Sequence, residues 1–332
     1  MIISRTPFRI SFFGGGTDYP AWFEEHGGAT LATTIDKYCW ITCRHLPPFF
    51  EHKSRIVYSK IQDLKEGDVI EHPAVREVFR FMKIKEGIEI HHDGDLPART
   101  GLGSSSAFTV GLLNVLYALK GTMVSKERLA KESIYIEQKM CKENVGCQDQ
   151  ALAAHGGFNY IEFGGAHHLR ATKVIIPEEK MHDLQSHLML FFTGFSRNAS
   201  EIAKHQIINI PQKKKDFKGL YRMAQEGLDM LKSHDLMAFG RLLDDSWKIK
   251  RQLSDKITTP RIDEIYSAAK KAGALGGKLL GAGGGGFVLI FAQPQKQARI
   301  RKSLQGLLEI PFRFERLGSQ IIFYQPDSEK TT

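Results

Sequence analysis

Hydrophobic and polar positions alternate from residue 2 to residue 13, in a stretch rich in Ile, Phe and Arg, and this two-residue period predicts a strand. The glycine break GGGTDYP ends it. GATLATTIDKYCWITCRHL predicts one or two further strands, RIVYS another, and GIEIHHDGDL a fourth segment of the same kind. From Ser105 to Leu119 apolar residues return at helical spacing, and Gly121 closes the run. SKERLAKESIYIEQKM predicts a helix with Ser125 as its N-cap, without the acidic residue of a capping box. NVGCQDQALAAHGG predicts a turn and then a short helix. Residues 166–180 read as a connector with one strand, and LMLFFTGFSRNA starts a second unit as a buried strand. Amphipathic stretches follow over about 199–252 and 261–271. KLLGAGGGGFVLIFA is a glycine loop feeding a strand, and a last helix and strand lead to the tail. No repeat at a period of roughly 20–50 residues is visible.

At 332 residues the chain suits about two domains, with the boundary expected near residue 180. No apolar run approaches the ~18 residues of a membrane span. MIISRTPFRISFFGGG lacks the basic-then-apolar pattern of a leader, so a cytoplasmic protein is expected. The net charge of +9 suits acidic partners: nucleic acid, anionic membrane or phosphorylated small molecules. The longest basic run is only Lys213–Lys215, which fits a solvated helix start better than a nucleic-acid patch. Cys39 and Cys43, four residues apart on an expected strand, lie about 13 Å from one another, beyond disulfide reach. Cys141 and Cys147 lack a common zinc spacing, as do the pairs His91-His92 and His167-His168. Reduced thiols and no structural metal are expected.

LPARTGLGSSSAFTVG, from Leu96 to Gly111, places two glycines and three serines directly before an apolar helix. Backbone N–H groups at a helix start lack partners and carry the positive end of its dipole. Glycines ahead of them let the main chain curl around an anion. The Gly-Lys-Ser/Thr of a Walker A loop is absent. A plain turn with an N-cap serine is the competing reading of this loop alone.

TPFRISFFGGGTDY, LPARTGLGSSSA and LLGAGGGG occur in that order along the chain. Together they resemble the three motifs of the GHMP kinase superfamily. The resemblance implies an α+β, two-domain fold: a ribosomal-protein-like domain over 1–180 with the ATP and Mg²⁺ site, and a ferredoxin-like domain over 181–332 on the substrate side. It implies that Gly101, Leu102, Gly103, Ser104, Ser105 and Ser106 hold the ATP phosphates. Glu137 matches the carboxylate that helps hold Mg²⁺, with Ser105 as the preferred serine and Ser104 as the fallback. Asp149 matches the aspartate that accepts or orients the acceptor's proton, and Arg9 the cation that neutralises charge on the transferred phosphoryl. The competing readings are an exposed glutamate, a helix N-cap and an edge-strand arginine.

The acceptor is read from the first motif, where GGGTDYP puts Gly15 and Gly16 in place of the Glu-His pair of galactokinases. Thr17 and Asp18 remain. Asp18 is expected to bind sugar hydroxyls or, alternatively, to close an Asx turn. The resemblance also puts Gly283 and Gly284 on the substrate side. RISFFGGGTDYP and FTGFSRNAS resemble most the bacterial branch that phosphorylates D-glycero-D-manno-heptose 7-phosphate at its anomeric hydroxyl. A substrate already phosphorylated needs a cation, for which Arg197 leads, ahead of Arg99 and Lys37. Kinases of unphosphorylated sugars (L-fucokinase-like or galactokinase-like) are the alternative. A non-catalytic sensor is disfavoured by the intact Glu137 and Asp149, and a nucleic-acid protein by the three glycine motifs; no membrane partner is expected. A homodimer is compatible with the sequence.

Overall fold

The computed structural model describes residues 1–47, 49–165, 169–194 and 199–326. The first unit runs β1 (Ile2–Phe13), α1 (Pro20–His26), β2 (Gly28–His45), β3 (Ser54–Val57), β4 (Ile61–Leu64), α2 (Pro73–Met82) and β5 (Ile88–Gly94). It continues with α3 (Ser104–Leu119), α4 (Lys126–Tyr135), a π-helical turn at Ile136–Met140, α5 (Gln148–His155), β6 (Asn159–Phe163) and β7 (Leu169–Lys173). The second unit has α6 (Glu178–Ser186), β8 (Leu188–Phe192), α7 (Ala199–Asn209), α8 (Lys214–Ser233), α9 (Leu236–Lys250), α10 (Pro260–Ala272), β9 (Gly276–Leu279), β10 (Phe287–Phe291) and α11 (Pro294–Ser303). The short strands β11 (Leu308–Glu309), β12 (Phe314–Glu315) and β13 (Gln320–Tyr324) end the described chain.

The segment read as one or two strands is a single strand, β2, because different lengths of it serve different partners. Gly28 to Ala32 pair with β6, Thr34 and Ile35 with β12, and Cys39 to His45 with β5, while β1 lies antiparallel along most of it. The large sheet has the path β13-β1-β2-β5-β3-β4, and the second unit has a four-stranded sheet β11-β8-β10-β9. β12 and β13 lie beyond the boundary expected near residue 180, yet both hydrogen-bond into the first unit's sheet. α6 starts within the last residues of the 166–180 connector and runs on through a stretch given no element; its only buried residue is Leu184, too weak an apolar stripe to betray a helix.

α3 is apolar on nearly every side, and it is buried from Ser106 to Tyr117 against β1 and β2. Its approach to β1 is close: Ser4 donates to the Gly111 carbonyl at 3.0 Å. Aromatic packing joins the units, with Phe12 of β1 stacked on Phe158 at 5.5 Å and edge-on to Phe239 of α9 at 5.5 Å. The start of α3, the end of β1 and the second unit's glycine loop are thereby held around one cleft.

Candidate active site

Leu102, fully buried, roots the loop before α3 in the core, and its carbonyl accepts from the Arg9 amide of β1 at 3.0 Å. Gly103 turns the chain into α3 in the left-handed region, with φ of 76°, and no side chain caps the helix start. The first N–H groups of α3 thus face the cleft as an anion cradle. The Arg99 amide donates to Ser104 Oγ at 3.3 Å, which tightens the bend. The second unit's glycine loop packs directly on this one. A Cβ on Gly281 would lie 2.5 Å from Gly101 Cα, and one on Gly286 would lie 2.1 Å from the Thr100 carbonyl oxygen. Only glycine permits that approach.

Arg9 and Asp149 form a bidentate pair, Nε to Oδ1 and Nη2 to Oδ2 both at 2.7 Å. The third arm of the guanidinium donates to the Gly101 carbonyl at 2.6 Å. One planar cation therefore fixes Asp149 to the phosphate loop, which Lys could not do with a point charge. Asp149 sits in the first turn of α5 but does not cap it; the capping position is Cys147. Arg9 is buried rather than an edge-strand surface residue.

Glu137 is 2% exposed, so it is no ordinary surface glutamate. It lies in the π-helical turn that follows α4, a local irregularity common at functional sites. Its Oε2 accepts from Ser106 Oγ at 2.9 Å and from Gln150 Nε2 at 2.6 Å. Burial pushes its pKa up to about 7 against the lowering effect of the nearby Thr109 side chain and of those two bonds. The serine that meets Glu137 is thus Ser106. Ser105 is exposed, and Ser104 is turned back to Arg99. Glu137 Oε1 is buried without a hydrogen-bond partner. One orphaned carboxylate oxygen beside a serine hydroxyl fits Mg²⁺, which needs few protein ligands when phosphates and waters supply the rest. Among the described residues no cluster of three His, Cys, Asp or Glu could hold a metal.

Arg9, Asp149, Gly101, Gly103 and the three serines line one cleft of about 1080 Å³ together with Gly15, Gly16, Asp18 and Arg99. Glu137 lies behind that lining and meets it through Ser106. Asp18 is buried, and burial raises its pKa, as does the charge of Asp149. Its carboxylate accepts from the Gly16 amide at 2.9 Å and from Gln148 Nε2 at 3.0 Å. The bonded amide lies two residues before Asp18, and Pro20 two residues on has no N–H, so Asp18 closes no Asx turn. Other expected site residues lie elsewhere. Thr17 is fully buried, donating to the Gly14 and Ala29 carbonyls at 2.8 and 3.0 Å. Gly284 donates to the Ile257 carbonyl, and a Cβ on Gly283 would strike Ile257, so both serve to pack the glycine loop; its cleft face is Gly281 and Ala282. Lys37 pairs with Asp36 outside the cleft lining. Arg197 falls outside the described residues.

Two buried lysines escaped the motif reading. Lys250, the last residue of α9, donates to the Gly281 carbonyl at 2.7 Å, and Lys278 of β9 donates to the Phe12 carbonyl at 2.8 Å. Burial, reinforced by Arg9, lowers the Lys250 pKa to about 8, and the Lys278 pKa also lies well below the usual range. With Arg9 they set three basic side chains beside Asp18 and Asp149 in the cleft lining.

The GHMP kinase N-terminal domain model matches residues 69–157, and the GHMP kinase C-terminal model matches residues 226–309. The chain belongs to the GHMP kinase family, whose members use ATP as phosphoryl donor, and it has that family's two-domain α+β fold. A D-glycero-alpha-D-manno-heptose 7-phosphate kinase of Campylobacter jejuni is 28% identical, over 96% of this chain and 97% of that one. A bifunctional fucokinase/GDP-fucose pyrophosphorylase of Arabidopsis thaliana is 24% identical over 90% of this chain, which spans 30% of that longer protein. Among solved structures, a D-glycero-D-manno-heptose 1-phosphate kinase from Bacteroides thetaiotaomicron superposes with a TM-score of 0.79 at 22% identity, covering 96% of this chain and 98% of that one. No helix among the described residues is long and apolar enough to cross a membrane.

Proposed function

We propose that the protein transfers the γ-phosphoryl group of ATP to the anomeric hydroxyl of D-glycero-D-manno-heptose 7-phosphate. The product is the 1,7-bisphosphate, on the route to GDP-heptose for surface polysaccharide, and the setting is the cytoplasm. The observation that carries the kinase reading is the Arg9–Asp149 pair clamped onto the Gly101 carbonyl at the mouth of the anion cradle. Phosphoryl transfer needs little covalent chemistry from the protein and much positioning. In this reading the amides of Gly103 to Ser106 hold the phosphates. Asp149 receives or orients the proton of the attacking hydroxyl. Arg9 keeps that carboxylate in place and offsets charge on the moving phosphoryl. Mg²⁺, held by Glu137 and Ser106, would supply charge neutralisation on the phosphates.

The heptose 7-phosphate assignment is supported by likeness to the Campylobacter jejuni enzyme along nearly the whole chain. Likeness to the Arabidopsis fucokinase supports a second reading, an unphosphorylated sugar such as L-fucose. ADP release measured with heptose 7-phosphate, its dephosphorylated form and L-fucose separates the two. The first reading expects a kcat/KM at least tenfold higher for the phosphorylated heptose, and a preference for either neutral sugar overturns it. A ³¹P spectrum of the product shows whether the new ester is anomeric.

A further inference from the structure

Gly15 has no left-handed backbone conformation, and nothing crowds the position its side chain would take. Three polar atoms from three elements nonetheless converge there. A Cβ on Gly15 would lie 3.7 Å from Gln148 Nε2, 3.7 Å from Ser11 Oγ and 3.8 Å from Lys250 Nζ. All three residues are more than nine-tenths buried and line the cleft. Ser11 Oγ and Gln148 Oε1 have no hydrogen-bond partner. A buried hydroxyl and a buried amide oxygen left unpaired are each destabilising, so a ligand that pairs them regains that cost on binding.

We propose that Ser11, Gln148 and Lys250, gathered over Gly15 beside Asp18, form a subsite for vicinal hydroxyl groups of a polyhydroxylated acceptor. The lining selects hydroxyls by its mixture of roles. Gln148 gives its N–H to Asp18 at 3.0 Å, which leaves its carbonyl oxygen as an acceptor. Asp18 is a further acceptor, Lys250 is only a donor, and Ser11 can be either. A diol can donate to the amide oxygen and the carboxylate while accepting from the ammonium and the serine. A phosphate dianion has no proton to give and would meet Asp18 and the Gln148 oxygen with repulsion. Position agrees. Ser11 lies two residues beyond Arg9 on the same face of β1, and Gln148 directly precedes Asp149. Hydroxyls bound here are neighbours of the one delivered to Asp149. That these hydroxyls belong to the phosphoryl acceptor rests on the kinase reading above, whereas their binding does not.

The test is ligand-observed NMR on the full chain with D-mannose and D-mannitol as hydroxyl probes and inorganic phosphate as the anion probe, without turnover. Gly15→Ala puts a methyl at the convergence point, with ordinary contacts and no polar group altered. Lys250→Met and Ser11→Ala remove one partner each. Expected are mannose or mannitol binding to the parent, at least tenfold weaker binding in Gly15→Ala and Lys250→Met, and phosphate affinity within twofold of the parent throughout. Thermal midpoints and AMPPNP affinity of Gly15→Ala near the parent's show that the loss is local. The proposal is overturned if the parent binds neither probe, if the variants keep sugar affinity, or if phosphate binding falls instead. A chain that passes this test but fails to phosphorylate heptose 7-phosphate loses the proposed reaction and keeps the subsite.

Discussion

Replacing Gly281 by alanine probes the contact on which the cleft's geometry depends. The new Cβ would lie 2.5 Å from Gly101 Cα, whereas ordinary contact begins at 3.4 Å, so the two loops must part by about 0.9 Å. Gly281 also has φ of 76°, where a side chain costs about 1–2 kcal/mol. Both sides of the contact carry site residues: the Gly101 carbonyl holds Arg9, and the Gly281 carbonyl holds Lys250. A misplacement of about 1 Å in a positioned reaction costs on the order of 10²-fold in rate. The expected result is a fall of about 10²-fold in ADP release. The destabilisation of roughly 2–4 kcal/mol should appear as a drop of several degrees in Tm. Gly121→Ala is the control, because Gly121 has φ of 65° with nothing within 4 Å, so it isolates the backbone cost. Gly281→Ala turning over within threefold of the parent, or Gly121→Ala damaging turnover equally, would refute the reasoning.

Arg9→Lys keeps the charge but loses the two-pronged grip on Asp149 and the bond to Gly101; kcat is expected to fall about 10–100-fold with the ATP KM little changed, as steady-state kinetics will show. Ser106→Ala should raise the Mg²⁺ concentration for half-maximal rate by about tenfold and Ser105→Ala should leave it alone, since of the two serines it is Ser106 that hydrogen-bonds Glu137. His72 accepts from the Val75 amide at the start of α2, and burial, aided by His92, Arg99 and Arg76, lowers its pKa to about 4. Its folded form resists protonation, so its contribution is intact above the ordinary value near 6.5 and is lost as pH falls toward 4. His72→Asn keeps a capping side chain without the titration, and urea unfolding should show the parent losing about 1–2 kcal/mol more than the variant between pH 7 and pH 4.5.

The parts of the site legible in the sequence are those where one residue type is obligatory. Gly101 and Gly281 stand where main chain approaches main chain, and Gly103 where the Arg9 and Asp149 side chains crowd a left-handed turn; such clusters are visible in a string of letters. Glu137 and Asp149 stand out only through the family resemblance; in the fold Asp149 pairs with Arg9, and Glu137 accepts from Ser106 at the start of α3. Choosing among Ser104, Ser105 and Ser106 required the rotation of α3 about its axis, because successive helical residues point about 100° apart and core packing sets the phase. Lys250 and Lys278 look locally like any lysine in an amphipathic helix or a short strand. Their burial arises only when α9 and β9 close over β1. Gly283 and Gly284 were legible as glycines but not as packing for Ile257, since nothing local names the partner. The return of β12 and β13 to the first sheet is likewise a long-range pairing that two- or five-residue strands cannot signal.

The central claim is that Asp149, held by Arg9 at the phosphate loop, handles the acceptor's proton as ATP gives up its γ-phosphoryl. The most direct measurement is ADP release from ATP, Mg²⁺ and heptose 7-phosphate by the parent and by Asp149→Asn, alongside AMPPNP affinity. The account predicts at least a 10²–10⁴-fold loss of turnover with nucleotide affinity preserved. Asp149→Asn turning over at the parent's rate would contradict it.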